Sequence, residues 1–88
     1  MNAVDASVRA AIRAFIEENF LYMHPDVELT NSEDLLARGL VDSLGFVELV
    51  EEVQERYSIA VEDVEITEQN FGSIDAIAAY VERKRGDR

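Results

Sequence analysis

The chain has no cysteine, no tryptophan, one proline and one histidine, and each shortage removes a class of chemistry. Without cysteine there is no disulfide framework, no thiolate nucleophile and no Cys-based metal site, which fits a cytoplasmic protein. The one histidine, His24, precedes Pro25 and is far along the chain from Ser43. A Ser-His-Asp triad would need that connection to fold back across the molecule, so His24 is read as solvated or helix-terminal. The four glycines, Gly39, Gly45, Gly72 and Gly86, are scattered and build no phosphate-cradling loop. Glu62-Asp63-Val64-Glu65 lacks the alternating oxygens and the glycine of a calcium loop; it is expected to be a solvated turn, and no metal site is expected. No apolar run approaches the ~20 residues of a membrane span. The N-terminus is mixed and carries Asp5, unlike a basic then apolar signal peptide, so neither export nor membrane insertion is expected.

Basic residues are scarce as well. Nineteen acids face eight bases, for a formal charge of −11. Phosphate repulsion disfavours nucleic acid as a partner, and proteins with basic faces are favoured instead. Four of the bases, Arg83, Lys84, Arg85 and Arg88, fall in the last six residues; the stretch from Asp42 to Glu68 holds nine acids and only Arg56 against them. With 48% apolar residues in 88 positions, the chain can close one small core. The absence of a composition shift or linker predicts a single domain over 1–88, with a frayed basic tail at 83–88. A monomer is expected.

Along the chain the apolar period is helical. Val8, Ile12, Phe15, Ile16 and Phe20 form one stripe from Val4 to about Phe20, with Asp5 or Ser7 as cap, and Pro25 requires the helix to end by His24. Residues 24 to 42 show no sustained period. One short helical turn is expected at Ser32-Glu33-Asp34-Leu35-Leu36, capped by the serine hydroxyl and stopped at Gly39. Val27, Leu29, Leu35, Leu36, Leu40 and Val41 should pin this connection to the core, because an unanchored connection of such length is rare in a small domain. Ser58-Ile59-Ala60-Val61 is β-branched but has no partner strand, so it reads as a link into a short helix or turn within 61 to 71, with Ile66 and Phe71 buried. Gly72-Ser73 should cap a last helix whose stripe is Ile74, Ile77, Ala78 and Val81. The expected architecture is all-α, a small bundle of three to four helices with a long connection between the first two main helices.

The most informative stretch is Leu40 to Tyr57. An Asp-Ser pair stands where a helix begins. At about 100° per residue, Phe46, Leu49, Val50, Val53 and Tyr57 share one face, while Glu48, Glu51 and Glu55 lie opposite with Leu44. Ser43 is thus displayed on an acidic platform. A serine without a general base is a poor catalyst but a good attachment point. A phosphate ester there would meet unsatisfied helix N–H groups and the positive end of the dipole. The plainer alternative is that Ser43 or Asp42 simply caps the helix.

Gly39-Leu40-Val41-Asp42-Ser43-Leu44, then Val47-Glu48-Leu49-Val50, then Phe71, Ile74, Ile77 and Tyr80-Val81, resemble the acyl carrier protein family over roughly residues 8 to 82. Asp-Ser-Leu alone is a weak string; in an acidic chain with this helix order it is specific. The resemblance implies a freestanding carrier, not an enzyme. Ser43 would bear covalent 4′-phosphopantetheine taken from coenzyme A, and the cargo, acyl or aminoacyl, would be a thioester on its thiol. It further implies a phosphopantetheinyl transferase, whose bound Mg²⁺ Asp42 would approach, together with an acyl or amino-acid ligase and downstream acyl-processing enzymes. These could belong to fatty-acid, polyketide or amino-acid-activating pathways. The partner face would comprise Leu44, Val47, Glu48, Glu51, Glu52 and Glu55.

Two positions depart from the commonest form of that family. Gly45 replaces an acid frequent in fatty-acid carriers, and Glu51 replaces an exposed methionine. Gly45 with Phe46 is similar to carriers that serve D-alanine or other amino-acid ligases. The alternative function is an unmodified acidic helical module that binds a basic protein partner.

Overall fold

The computed structural model describes residues 3–22 and 26–86, so the expectation placed on His24 lies outside the described residues. Every regular element within them is helical. α1 spans Ala3–Asn19, α2 Ser43–Tyr57, α3 Glu68–Phe71 and α4 Ile74–Gly86, with a 3₁₀ turn at Asp63–Glu65. α1 already runs at Ala3, so neither Asp5 nor Ser7 stands at its cap. Ala3 and Ala6 are strong helix formers and carry the helix upstream. The expected stripe is buried at Val8, Ile12 and Ile16, with Phe15 partly covered.

The described part of the long connection between α1 and α2, residues 26–42, is held by hydrogen bonds to α1 and to the corner between α3 and α4. The Arg13 guanidinium donates to the Leu29 carbonyl and the Asn31 side chain. Asp75 N–H donates to the Asn31 carbonyl at 2.9 Å, and Leu35 N–H to the Gly72 carbonyl at 2.8 Å. Leu29, Leu35 and Val41 are buried as expected. The turn over 34–39 is capped by Asp34, which accepts from Ala37 N–H at 3.0 Å, in place of Ser32. A cap must lie just ahead of the turn it closes, and the turn begins later than the pattern suggests. Gly39 ends it at φ 70°, a left-handed conformation in which glycine is least strained.

α2 buries Phe46, Leu49, Val50 and Val53. It ends at Ser58, whose left-handed backbone returns its N–H to the Gln54 carbonyl. No strand forms at 58–61. Phe71 links the halves of the core, edge-on to Phe46 at 6.2 Å and tilted on Tyr80 at 4.9 Å. Ser73 caps α4 as expected, accepting from Ala76 N–H at 3.0 Å. α1 packs along α4, and α3 against α4.

One expectation needs correction here. The acids at 62–65 are more than a solvated turn. The Glu65 carboxylate accepts from the Tyr80 hydroxyl at 2.9 Å, from Lys84 Nζ at 3.1 Å and from the Glu62 N–H at 3.1 Å. Residues 83–86 of the basic tail lie within α4, and Arg83, Lys84 and Arg85 have side-chain partners of their own. Lys84 is held by Glu65, Arg83 donates to Asn70 at 2.9 Å, and Arg85 lies over the Tyr57 ring at 5.7 Å. These partners lie far off in sequence, so composition alone suggested a loose end.

The backbone N–H of Glu62, followed by Tyr80 and Lys84, holds the Glu65 carboxyl below the ordinary carboxylate range, whereas burial and Glu65 raise the Tyr80 hydroxyl. A carboxylate with a depressed folded pKa stabilises above its unfolded pKa of about 4.3, and that contribution fades as pH falls through the lower folded value. E65Q should therefore melt below the wild type near neutral pH, and the gap in Tm should close progressively below about pH 4. Thermal melts across pH 3 to 7 check this; a gap independent of pH would mean that the carboxylate charge plays no part.

Candidate functional site

Ser43 is the first residue of α2, and Asp42 is its N-cap. The Asp42 backbone is extended, with φ −89° and ψ −176°, which turns its side chain back over the helix end. Its Oδ1 accepts from Gly45 N–H at 2.8 Å, and its carbonyl accepts from Phe46 N–H at 2.8 Å. The second is the first regular bond of the helix; the first fills one of the four N–H groups, those of residues 42–45, that a helix start leaves without an intrahelical partner. The N–H groups of Ser43 and Leu44 are two of the others, beside the Ser43 hydroxyl. Ser43 and Asp42 are both exposed.

The residues expected on the partner face line one side of α2. Leu44 is 69% exposed and Val47 51%, unusual values for apolar residues on a helix whose other face is buried. Glu48, Glu51 and Glu55 are exposed around them, with no ion-pair partner among the described residues. Glu52 differs: it is half-buried and accepts from Arg56 Nε at 2.8 Å. The i, i+4 spacing that puts an acid before a base on one helix face favours this pair, and it removes Glu52 from the unpaired set. Glu52, Glu55 and Arg56 line a shallow open depression at the far end of the same face.

Sequence reasoning missed two exposed apolar residues, Val64, 84% exposed, and Tyr22. Neither belongs to a periodic segment that would have drawn notice. Among the described residues no group of acids or histidines is arranged to hold a metal ion, and no helix is long and apolar enough to cross a membrane.

The Ser43 hydroxyl is thus exposed at a helix start, beside two N–H groups that have no partner among the described residues, and no general base bonds to it there. Comparison with known proteins places the chain in a family. Residues 10–81 match the family described as phosphopantetheine attachment site. Curated relatives include the D-alanyl carrier protein of Streptococcus suis (strain 98HAH33), 34% identical over 74 residues that cover 84% of this chain and 90% of the relative. The D-alanyl carrier protein of Streptococcus sanguinis (strain SK36) is 32% identical over 78 residues, covering 89% and 95%. The chain belongs to the phosphopantetheine attachment site family, and it is a carrier protein rather than an enzyme. Carriers of this kind work with a phosphopantetheinyl transferase and with ligases.

The Asp42 cap can be tested apart from any modification. D42A should destabilise the fold by about 1 kcal/mol in urea denaturation, whereas D42N, which keeps a side-chain acceptor, should lose only a fraction of that. Equal stability of D42A and wild type would show that the cap is not formed in solution.

Proposed function

We propose that Ser43 is the residue to which 4′-phosphopantetheine is joined, and that the protein carries a small acyl or aminoacyl group, such as an amino acid, between enzymes of the cytoplasm. The observation that carries this reading is the exposed Ser43 hydroxyl at the first position of α2, with its flanking Asp42 folded back as a cap. The hydroxyl oxygen would form the new bond to phosphorus while the bond to the nucleotide half of coenzyme A breaks, the hydroxyl proton passing to a base of the transferase. Asp42 commits Oδ1 to the cap, which leaves Oδ2 to face a transferase-bound Mg²⁺, a hard cation suited to a carboxylate oxygen. The N–H groups of Ser43 and Leu44, without partners among the described residues, and the helix dipole would favour the phosphodiester charge. Once attached, the arm supplies a terminal thiol on which the cargo rides as a thioester.

Leu44 and Val47 with Glu48, Glu51 and Glu55 form the docking face of this reading. A carrier must reach several enzymes and leave each one. Long-range attraction by unpaired acids speeds encounter without building a large apolar interface. Amino-acid cargo is favoured by the similarity to D-alanyl carrier proteins and by Gly45, which departs from the acid common in fatty-acid carriers. The ligase partner would then be an amino-acid ligase with a basic docking face.

Two experiments check the reading. Intact mass after incubation with coenzyme A, Mg²⁺ and a broad-specificity phosphopantetheinyl transferase should show one added arm on the wild type and none on S43A. An unmodified wild type would instead favour the acidic interaction module. Reversing Glu48, Glu51 and Glu55 to Lys should slow loading about tenfold at low ionic strength, with the difference shrinking as salt screens the field. Equal loading rates at low salt would remove these acids from the docking face.

A further inference from the structure

We propose that Phe20 is a positioning residue for the attachment serine: its ring, seated against the backbone of Gly45, fixes the first turn of α2 and with it the Ser43 hydroxyl. This rests on the reading of Ser43 given above. Among residues 42–45 only Gly45 is buried, so it is there that this part of the helix start touches the bundle. A methyl group on Gly45 would lie 2.7 Å from Phe20 Cε1, 3.1 Å from Val41 Cγ1 and 3.2 Å from Asp42 Oδ1. Real carbon atoms do not approach a ring carbon so closely, and the space between ring and helix admits only a hydrogen. Gly45 has ordinary helical backbone, so its glycine is required by this close approach and not by a turn. Glycine is a poorer helix former than alanine, so helix propensity does not account for it here.

Phe20 is itself held at its backbone and at its ring. Phe20 N–H donates to the Ile16 carbonyl at 2.8 Å, extending the last turn of α1. Phe15 meets the ring edge-on, with centroids 6.0 Å apart and planes at 76°. Val41, which the same methyl group would crowd, is buried and has little room to recede. The end of α1 therefore acts as a fixed stop for the start of α2. Group transfer needs the attacking oxygen in line with phosphorus, and a displacement of about 1 Å can slow such a step by up to about a hundredfold.

The test is a set of variants loaded with coenzyme A, Mg²⁺ and the same transferase. G45A should load about tenfold more slowly than wild type, because the added methyl must displace the helix start or the ring. F20L/G45A, in which a smaller and more flexible side chain gives way, should recover to within about threefold of wild type. Wild-type loading by G45A, or no recovery in a folded F20L/G45A, would overturn the proposal. F20A provides a measurement that does not depend on G45A folding. Amide hydrogen exchange at Gly45 and Phe46 should accelerate about tenfold while Ile77 and Val81 keep their protection; unchanged exchange at Gly45 and Phe46 would also overturn it. S43A runs alongside, and an arm added to S43A would defeat the reading of the serine itself, independently of Phe20.

Discussion

The hydrogen bond from the Gly45 N–H to the Asp42 carboxylate, at 2.8 Å, decides where α2 begins, and the arrangement of the site follows from that boundary. With the helix starting at residue 43, the apolar period places Phe46, Leu49, Val50 and Val53 inward. The same boundary turns Leu44, Val47, Glu48 and Glu51 outward. A start one residue later would leave Ser43 as the cap, its hydroxyl engaged with a backbone N–H. A carboxylate at the cap relieves the serine of that duty. Cap and hydroxyl are adjacent in sequence but divide the work: one closes the helix and the other stays free.

The boundary is supported from a distance. The long connection is tied to the α3–α4 corner through Asn31 with Asp75 and Leu35 with Gly72, and its last residues, Leu40 and Val41, return N–H bonds to the Leu35 carbonyl. The chain thus reaches Asp42 from a fixed direction, with Val41 buried behind it. Across the bundle, Glu65 joins the 3₁₀ turn to α4 through Tyr80 and Lys84. Acids with internal partners, Glu65 and Asp75 among them, tie distant parts of the chain together. Glu48, Glu51 and Glu55 on α2, without ion-pair partners among the described residues, are the ones the proposed reading assigns to long-range attraction of partner enzymes.

Much of this was legible in the sequence, and the exceptions share a cause. The span and buried stripe of α2 follow from a 3.6-residue period, as does the Ser73 cap of α4 from its position before an apolar run. Asp42-Ser43 stands out because a capping pair precedes an acidic amphipathic helix. What the sequence hid are pairings between residues remote along the chain. Nothing local connects Glu65 to Tyr80 and Lys84, so 62–65 read as a solvated turn and 83–88 as a loose end. Nothing local connects Phe20 to Gly45 either, so a glycine that admits a ring appeared only as a departure from a pattern. The early turn was misplaced by a smaller margin: Ser32 and Asp34 are both of capping type, and only the folded chain shows that Asp34 is used.

The central claim is that one serine, freed from capping by its neighbour, receives the arm. The most direct measurement is fragment mass spectrometry on the protein isolated from cells that make it, locating any phosphopantetheine along the chain. The account predicts an adduct on Ser43 alone. An adduct on Ser7, Ser32, Ser58 or Ser73, or a protein that is never modified, would contradict it.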